Sequence, residues 1–167
     1  MNIEEIQTIY DYHYWATGRI LAATAQISQA QFLASVGLGL ESLRDILAHC
    51  IDAEFGWRTL WQTGTTDGFE TVAADQFPGV AALTQRWAQE EQATRAYLST
   101  LTDADLTGYV RYTAHEGTVR ERLLWHCLWH LVNHGTQHRS EAAAILTGYG
   151  SSPGDLDFTM FLNERPA

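Results

Sequence analysis

The sequence contains no lysine, and its ten basic residues are all arginine, against 20 acidic residues, for a net charge of −10. A polyanion such as DNA is repelled by a field of this sign unless a local basic patch opposes it. The arginines form no cluster along the chain. We therefore expect a protein that does not bind nucleic acid.

Cysteine and long apolar runs are also scarce. Two cysteines, Cys50 and Cys127, are too few for a disulfide framework, and both fall on inward-facing positions typical of inert buried thiols. No stretch approaches the roughly 18 uninterrupted apolar residues of a membrane span. Near the start of the chain, Glu4, Glu5 and Asp11 interrupt what a signal segment would need as an apolar run. The sequence predicts a cytoplasmic protein with no membrane partner.

The remaining composition is that of a folded globular protein. Its 167 residues are 46% hydrophobic and 18% charged, which excludes a disordered chain. The sequence has no internal repeat, low-complexity tract or shift in composition. A length near 150 residues is typical of one domain, so we predict a single domain over residues 1–167.

Helical spacing of apolar residues recurs in four long segments. These are residues 3 to about 26, about 41 to 62, about 80 to 101, and about 119 to 147. Residues 63–79 contain glycine and proline and predict a loop, while 103–116 predict an extended crossing segment that could form a small hairpin. A short helix is predicted after Pro153. The pattern is typical of an all-α four-helix bundle, in either up-down-up-down order or with a crossover.

Histidine is the unusual residue. Of seven in the chain, four lie on the fourth predicted helix at four-residue spacing: His126, His130, His134 and His138. Each step turns about 40° around the helix. The apolar face lies between about −20° and +80° from His134, so His134 and His138 face the core, His130 lies on its border, and His126 lies outside it.

Two neutral imidazoles one turn apart can hold a metal ion, but a stable site needs a third ligand from another helix. His49, at the edge of the apolar stripe of the second helix, is the candidate. Three histidines without a thiolate leave one coordination position open, as catalytic sites do. The competing interpretation is that these are hydrogen-bonded core histidines. His126 and His115, which falls in a predicted turn, are not expected to bind metal.

Further candidates surround this predicted site. Tyr10 and His13 share the inward face of the first helix, and together with Tyr14 they could line a cleft or transfer protons. Plain packing is the alternative for His13. His130 is a further cleft candidate, with a solvated position as its alternative. Arg139, at about 140° from His134, is expected to face away and stabilise neighbouring structure. No phosphate loop, G-x-S-x-G or H-E-x-x-H motif is present.

Four segments resemble, in this order, the DinB family of bacterial damage-inducible proteins over nearly the whole chain. They are YDYHYWATGRIL, ESLRDILAHCIDAEFGW, LLWHCLWHLVNHGTQHRSEAAAIL and SPGDLDFTMFL. The most specific part pairs N-H-x-x-x-H-R on the fourth helix with H-x-x-x-x-[ED] on the second. The resemblance implies a DinB/YfiT-like four-helix bundle with one long crossover, usually a homodimer. It also implies a divalent metal held by His49, His134 and His138.

The chain departs from the family pattern at one place. After His138-Arg139 many members carry Gly-Gln, whereas this chain has Ser140-Glu141. Ser140 points away from the core, so the packing of the bundle should survive. Glu141 faces inward at about −20°. It could accept a hydrogen bond from a ligand imidazole, serve as a fourth ligand, or do neither.

These observations predict a metal-dependent enzyme that activates a thiol or water in a cleft between the first, second and fourth helices. The donor set favours zinc or nickel, with iron, manganese or cobalt as alternatives. Some relatives in the wider superfamily are thiol transferases or hydrolases that use mycothiol or bacillithiol. The resemblance thus implies a small-molecule substrate and a low-molecular-weight thiol cofactor. The alternative is a non-catalytic, stress-related homodimer whose metal ion is structural.

Overall fold

A computed structural model of the chain describes residues 1–37, 39–65, 69–113 and 117–165. These residues form seven α-helices, one 3-10 helix (Ala74–Gln76) and one two-stranded hairpin. The four long helices are α1 (Ile3–Thr24), α3 (Leu43–Thr63), α4 (Val80–Leu98) and α6 (Leu124–Gly148). The short ones are α2 (Gln29–Leu33), α5 (Asp103–Leu106) and α7 (Phe158–Glu164). The strands are β1 (Tyr109–Thr113) and β2 (Val119–Leu123). The predicted all-α class is confirmed.

Side chains at one end of the bundle establish the direction of each long helix. Ile20, near the end of α1, and Leu146, near the end of α6, share a hydrophobic cluster with Leu47 and Leu83, which lie near the starts of α3 and α4. Helices α1 and α6 therefore run in one direction, and α3 and α4 run in the other. A connection that joins two neighbouring parallel helices must return along the bundle. The segment from α3 to α4 is thus the long crossover predicted from the resemblance.

A layer of buried polar side chains divides the core into two hydrophobic clusters. The second cluster, at the opposite end, includes Ile6. Each long helix contributes to the layer between them: His13 from α1, Glu54 from α3, Thr94 from α4 and Arg139 from α6, all at most 3% exposed. Burial of polar groups costs free energy unless they are paired. The side chains of this layer therefore need hydrogen-bond or ionic partners inside the core, which apolar side chains would not.

The hairpin corrects the predicted start of the fourth helix. That helix was expected from about residue 119, but Val119–Leu123 forms β2, paired antiparallel with β1. The amide of Leu124 bonds the carbonyl of Gly108 at 2.8 Å, so the helix begins only there. Over a segment this short, apolar residues such as Val119 fit both the helical and the strand spacing. Hydrogen-bond pairing with β1 makes the segment a strand. Only the first strand of the hairpin, β1, lies within the segment 103–116 where the sequence predicted a possible hairpin. His115 lies outside the described residues.

Helix ends follow standard capping chemistry. Asn2 caps α1 and Ser42 caps α3, each accepting a hydrogen bond from a backbone N–H of the first turn. Ser28 and Gln31 form the capping box of α2. Gly64, at φ 74°, ends α3 in the left-handed conformation that favours glycine. In the described parts of the chain, no helix combines the length and the hydropathy needed to cross a membrane.

Candidate metal centre

Three histidines from two antiparallel helices converge at the α3–α6 boundary. The Nε2 atom of His134 lies 3.2 Å from Nε2 of His49 and 3.2 Å from Nε2 of His138. One ligand nitrogen from each of the three lies within 4.8 Å of the others. A tetrahedral ion with bonds of about 2.0–2.1 Å separates two nitrogen ligands by about 3.3 Å. The three histidines, hereafter the triad, are therefore spaced to hold one metal ion.

Glu141 fixes which nitrogen of His138 faces the other two histidines. Its Oε2 lies 2.8 Å from Nδ1 of His138, one helical turn away on α6. A carboxylate oxygen accepts a hydrogen bond, so Nδ1 carries the proton and Nε2 presents its lone pair. Such an outer partner orients an imidazole and raises its basicity as a ligand. Of the three roles considered for Glu141, the structure shows the bond to an imidazole N–H.

Two members of the triad, His49 and His134, are electrostatically suited to remain neutral. Burial lowers the pKa of His49, and a charge on His138 would lower it further. Burial, followed by the other histidines, lowers the pKa of His134 to about 4. The side chains of His49 and His134 are only half-buried, so solvent reaches part of each ring. Neutral nitrogens that solvent can reach are the state in which imidazole binds metal.

These pKa values predict how acid affects metal binding. Protons compete with the ion for each Nε2, and a lowered pKa weakens that competition. We expect a metal-loaded sample to lose its ion as the pH falls below the ordinary histidine pKa of about 6.5, with release extending towards the lower pKa of His134. Dialysis at stepped pH followed by elemental analysis measures this. Full occupancy well below about pH 4 would indicate carboxylate or thiolate ligands instead.

With this geometry in view, comparison with known proteins gives a clear match. The sequence pattern of the DinB family matches residues 1–166. The chain belongs to the DinB family. Protein DinB from Bacillus subtilis (strain 168) is 22% identical to it over 162 residues, which cover 93% of this chain and 94% of that protein.

Beneath the triad of this DinB-family protein lies the polar layer of the core. The Glu54 side chain is 1% exposed. Its Oε2 atom lies 3.2 Å from Nε2 of His13, and its Oε1 atom accepts a short hydrogen bond from the Tyr14 hydroxyl. Nη1 of Arg139 lies 2.7 Å from Nδ1 of His13. Arginine only donates, so Nδ1 accepts and Nε2 carries the proton given to Glu54. A neutral imidazole thus bridges a buried cation and a buried anion.

The pKa shifts in this layer agree with those protonation states. Burial alone would raise the pKa of Glu54, but the hydrogen bonds from His13 and Tyr14 outweigh it and lower the pKa below its ordinary value. Burial, then the charge of Arg139, lowers the pKa of His13. At neutral pH the layer therefore holds ionised Glu54, neutral His13 and a charged Arg139. Removing either charge would leave the other uncompensated in the core.

The position of Arg139 corrects a prediction. It was expected to face away, yet it is 3% exposed and contacts His13 of α1. The helical angles measured from His134 distinguish only the side of α6 that faces α3 from the rest of its surface. Helix α6 in fact packs on both α1 and α3. A residue on the far side of His134 therefore meets α1 rather than solvent. Tyr10 and Tyr14 are likewise interior side chains, 1% and 5% exposed, rather than walls of an open cleft.

Glu54 is the residue that sequence reasoning missed. The available signal was the H-x-x-x-x-[ED] motif, in which Glu54 follows His49 by five positions. Five positions turn the helix by about 140° from His49, which directs the carboxylate towards α1 instead of the triad.

Gly135 allows the contact between α1 and α6. A Cβ at this position would lie 2.6 Å from Cε1 of His13 and 2.7 Å from Nη1 of Arg139. We expect Gly135→Ala to lower the free energy of unfolding by about 1–3 kcal/mol, measured by urea denaturation. Gly18→Ala is the matched control, because nothing lies within 4 Å of that Cβ. It should stabilise helix α1 by up to about 1 kcal/mol. Equal effects would contradict the close approach.

The remaining candidates are not among the three residues of the triad, although the ring centroid of His130 lies 6.0 Å from that of His134. Burial raises the pKa of the Cys50 thiol to about 12 and that of the Cys127 thiol to about 11, so both are protonated at neutral pH. Neither cysteine is therefore available as an activated nucleophile. His126 and His130 are exposed, and the ring of His130 packs edge-on against Trp57.

Proposed function

We propose that this protein binds a divalent metal ion through His49, His134 and His138 and is a metal-dependent enzyme that activates a thiol or water. The observation that supports this most is the convergence of three imidazole nitrogens at the spacing one ion requires. Two of the three rings are half-buried, which is consistent with a coordination position left for a ligand from solvent.

The chain itself provides the ligands and their orientation. Glu141 holds the imidazole of His138 with Nε2 towards the ion, and half-burial keeps His49 and His134 neutral. A bound divalent ion would supply Lewis acidity that lowers the pKa of a coordinated thiol or water towards neutrality. Since both cysteines are buried and protonated, the nucleophile comes from outside the chain. A low-molecular-weight thiol fits this requirement.

Neutral nitrogen donors without thiolate or a direct carboxylate favour Zn²⁺ or Ni²⁺ as the native ion. Iron, manganese and cobalt follow as further candidates. Elemental analysis of protein purified without a histidine tag distinguishes these metals, because a tag would itself bind them.

Cobalt substitution tests the catalytic part of the proposal. Addition of a low-molecular-weight thiol such as 2-mercaptoethanol to the Co²⁺-loaded protein should produce a sulfur-to-metal charge-transfer band, with release of the thiol proton. His134→Ala treated in the same way should show none. If neither thiols nor other small molecules change the cobalt spectrum, and no water exchanges at the ion, the enzyme proposal fails. A structural metal site would then replace it.

A further inference from the structure

A cavity of about 210 Å³ lies between α3, α6 and the hairpin, to one side of the triad. Its lining residues come from all three elements: Trp57, Tyr112, Arg122, His126, Cys127 and His130. The ring of His130 connects the cavity with the triad, since its centroid lies 6.0 Å from that of His134. The cavity is therefore one helical turn from the candidate metal centre along the same side of α6.

The walls of this cavity are mainly aromatic. The ring of Trp57 packs edge-on against Tyr112 at 5.4 Å between centroids, and against His130 also at 5.4 Å. Aromatic rings in such arrangements present edges and faces that favour another flat apolar group. The volume corresponds to about seven water molecules, which suits a body the size of one substituted ring.

One wall carries a cation that no acidic side chain of the described residues neutralises. Arg122 pairs with Val110 across the hairpin and shares the face of Tyr112, which is turned to the bundle. Its Nη1 donates to the carbonyl of Glu121 at 2.9 Å, and within the described residues its guanidinium has no carboxylate partner. No acidic side chain of the described chain lines the cavity. In a protein of net charge −10, a guanidinium without a carboxylate partner among the described residues, set beside aromatic walls, favours a planar anion.

We propose that this cavity is the substrate pocket and that it binds a small carboxylic acid with a flat apolar body. The carboxylate pairs with Arg122, and the body packs between Trp57, Tyr112 and His130. The proposal rests on the proposed function only in calling the acid a substrate, since the pocket places it beside the triad. Recognition of the acid itself needs no metal.

The test is a ¹⁹F NMR titration of metal-loaded protein with 4-fluorophenylacetate. We expect saturable binding that Arg122→Gln weakens at least about tenfold, because a hydrogen bond to a charged group is lost. The neutral 4-fluorophenylacetamide should bind at least about tenfold more weakly to the unmodified protein for the same reason. Trp57→Ala should also weaken binding of the acid, through loss of the aromatic wall.

Arg111→Gln is the matched control. Arg111 lies on the same hairpin and pairs with Glu121, on the face opposite to Arg122. Its substitution by Gln removes the same charge as Arg122→Gln. This variant should bind the acid as the unmodified protein does. Equal binding of acid and amide, or equal loss in Arg111→Gln and Arg122→Gln, would overturn the proposed pocket.

Metal content measured on the same samples separates this proposal from the proposed function. Acid binding that depends on Arg122 in a protein that retains no metal supports the pocket and contradicts the metal-dependent enzyme. A protein that holds metal and binds thiol at cobalt, but shows no Arg122-dependent binding of the acid, supports the enzyme and overturns the pocket.

Discussion

Alanine at His49, His134 or His138, introduced one at a time, is expected to weaken metal binding by more than about 100-fold. Loss of a partner that merely orients a ligand already costs about 10- to 100-fold, so removing one of three protein ligands should cost more. Elemental analysis of tag-free protein gives the occupancy, and competition with a chromophoric chelator gives the affinity. Circular dichroism checks that each variant keeps its helices.

His126→Ala is the matched control for these variants. It removes an exposed histidine from α6, two turns before His134, and should leave metal occupancy unchanged. His115→Ala should do the same. Glu141→Gln should give an intermediate loss of affinity, about 10- to 100-fold, because the amide holds Nδ1 of His138 less strongly than a carboxylate. If His126→Ala removed the metal as completely as His134→Ala, the assignment of the triad would be wrong.

Two members of the triad could be predicted from sequence because their pairing depends on local geometry within one helix. Residues four apart on one helix are neighbours whatever the helix packs against, so His134 and His138 form a pair in any fold that keeps α6 helical. The prediction of His49 as the third member required only that α3 turn its apolar stripe towards the same core. Periodicity over many turns likewise predicted the four long helices.

The polar layer could not be predicted in the same way, because its contacts cross between helices. The pair of His13 and Arg139 depends on α1 packing against a different side of α6 from the one that meets α3. Which side of a helix meets which neighbour follows from the order of the bundle, and the sequence left two orders open. The hairpin has a similar cause, since Val119–Leu123 becomes a strand only by pairing with β1.

Arg139→Met is expected to lower the free energy of unfolding by about 3–5 kcal/mol, because it leaves the buried Glu54 carboxylate without its compensating cation. Arg139 faces α1 through His13, whereas Nε2 of His138 faces His134. The melting temperature should therefore fall clearly, whereas the affinity of the cobalt-loaded protein for thiol should change little. Urea denaturation and the cobalt titration measure the two effects on the same variant.

Two further variants test whether the buried charge is the cause. Glu54→Gln added to Arg139→Met should recover part of the lost stability, since the second change removes the uncompensated anion and keeps a hydrogen-bond acceptor for His13. Arg19→Met removes an arginine whose pair with Glu164 lies at the surface, with side chains 34% and 43% exposed. A surface pair contributes about 0–1 kcal/mol, so this variant should lose little. If the double variant were less stable than Arg139→Met alone, the loss would come from packing around the arginine stem rather than from the isolated charge of Glu54.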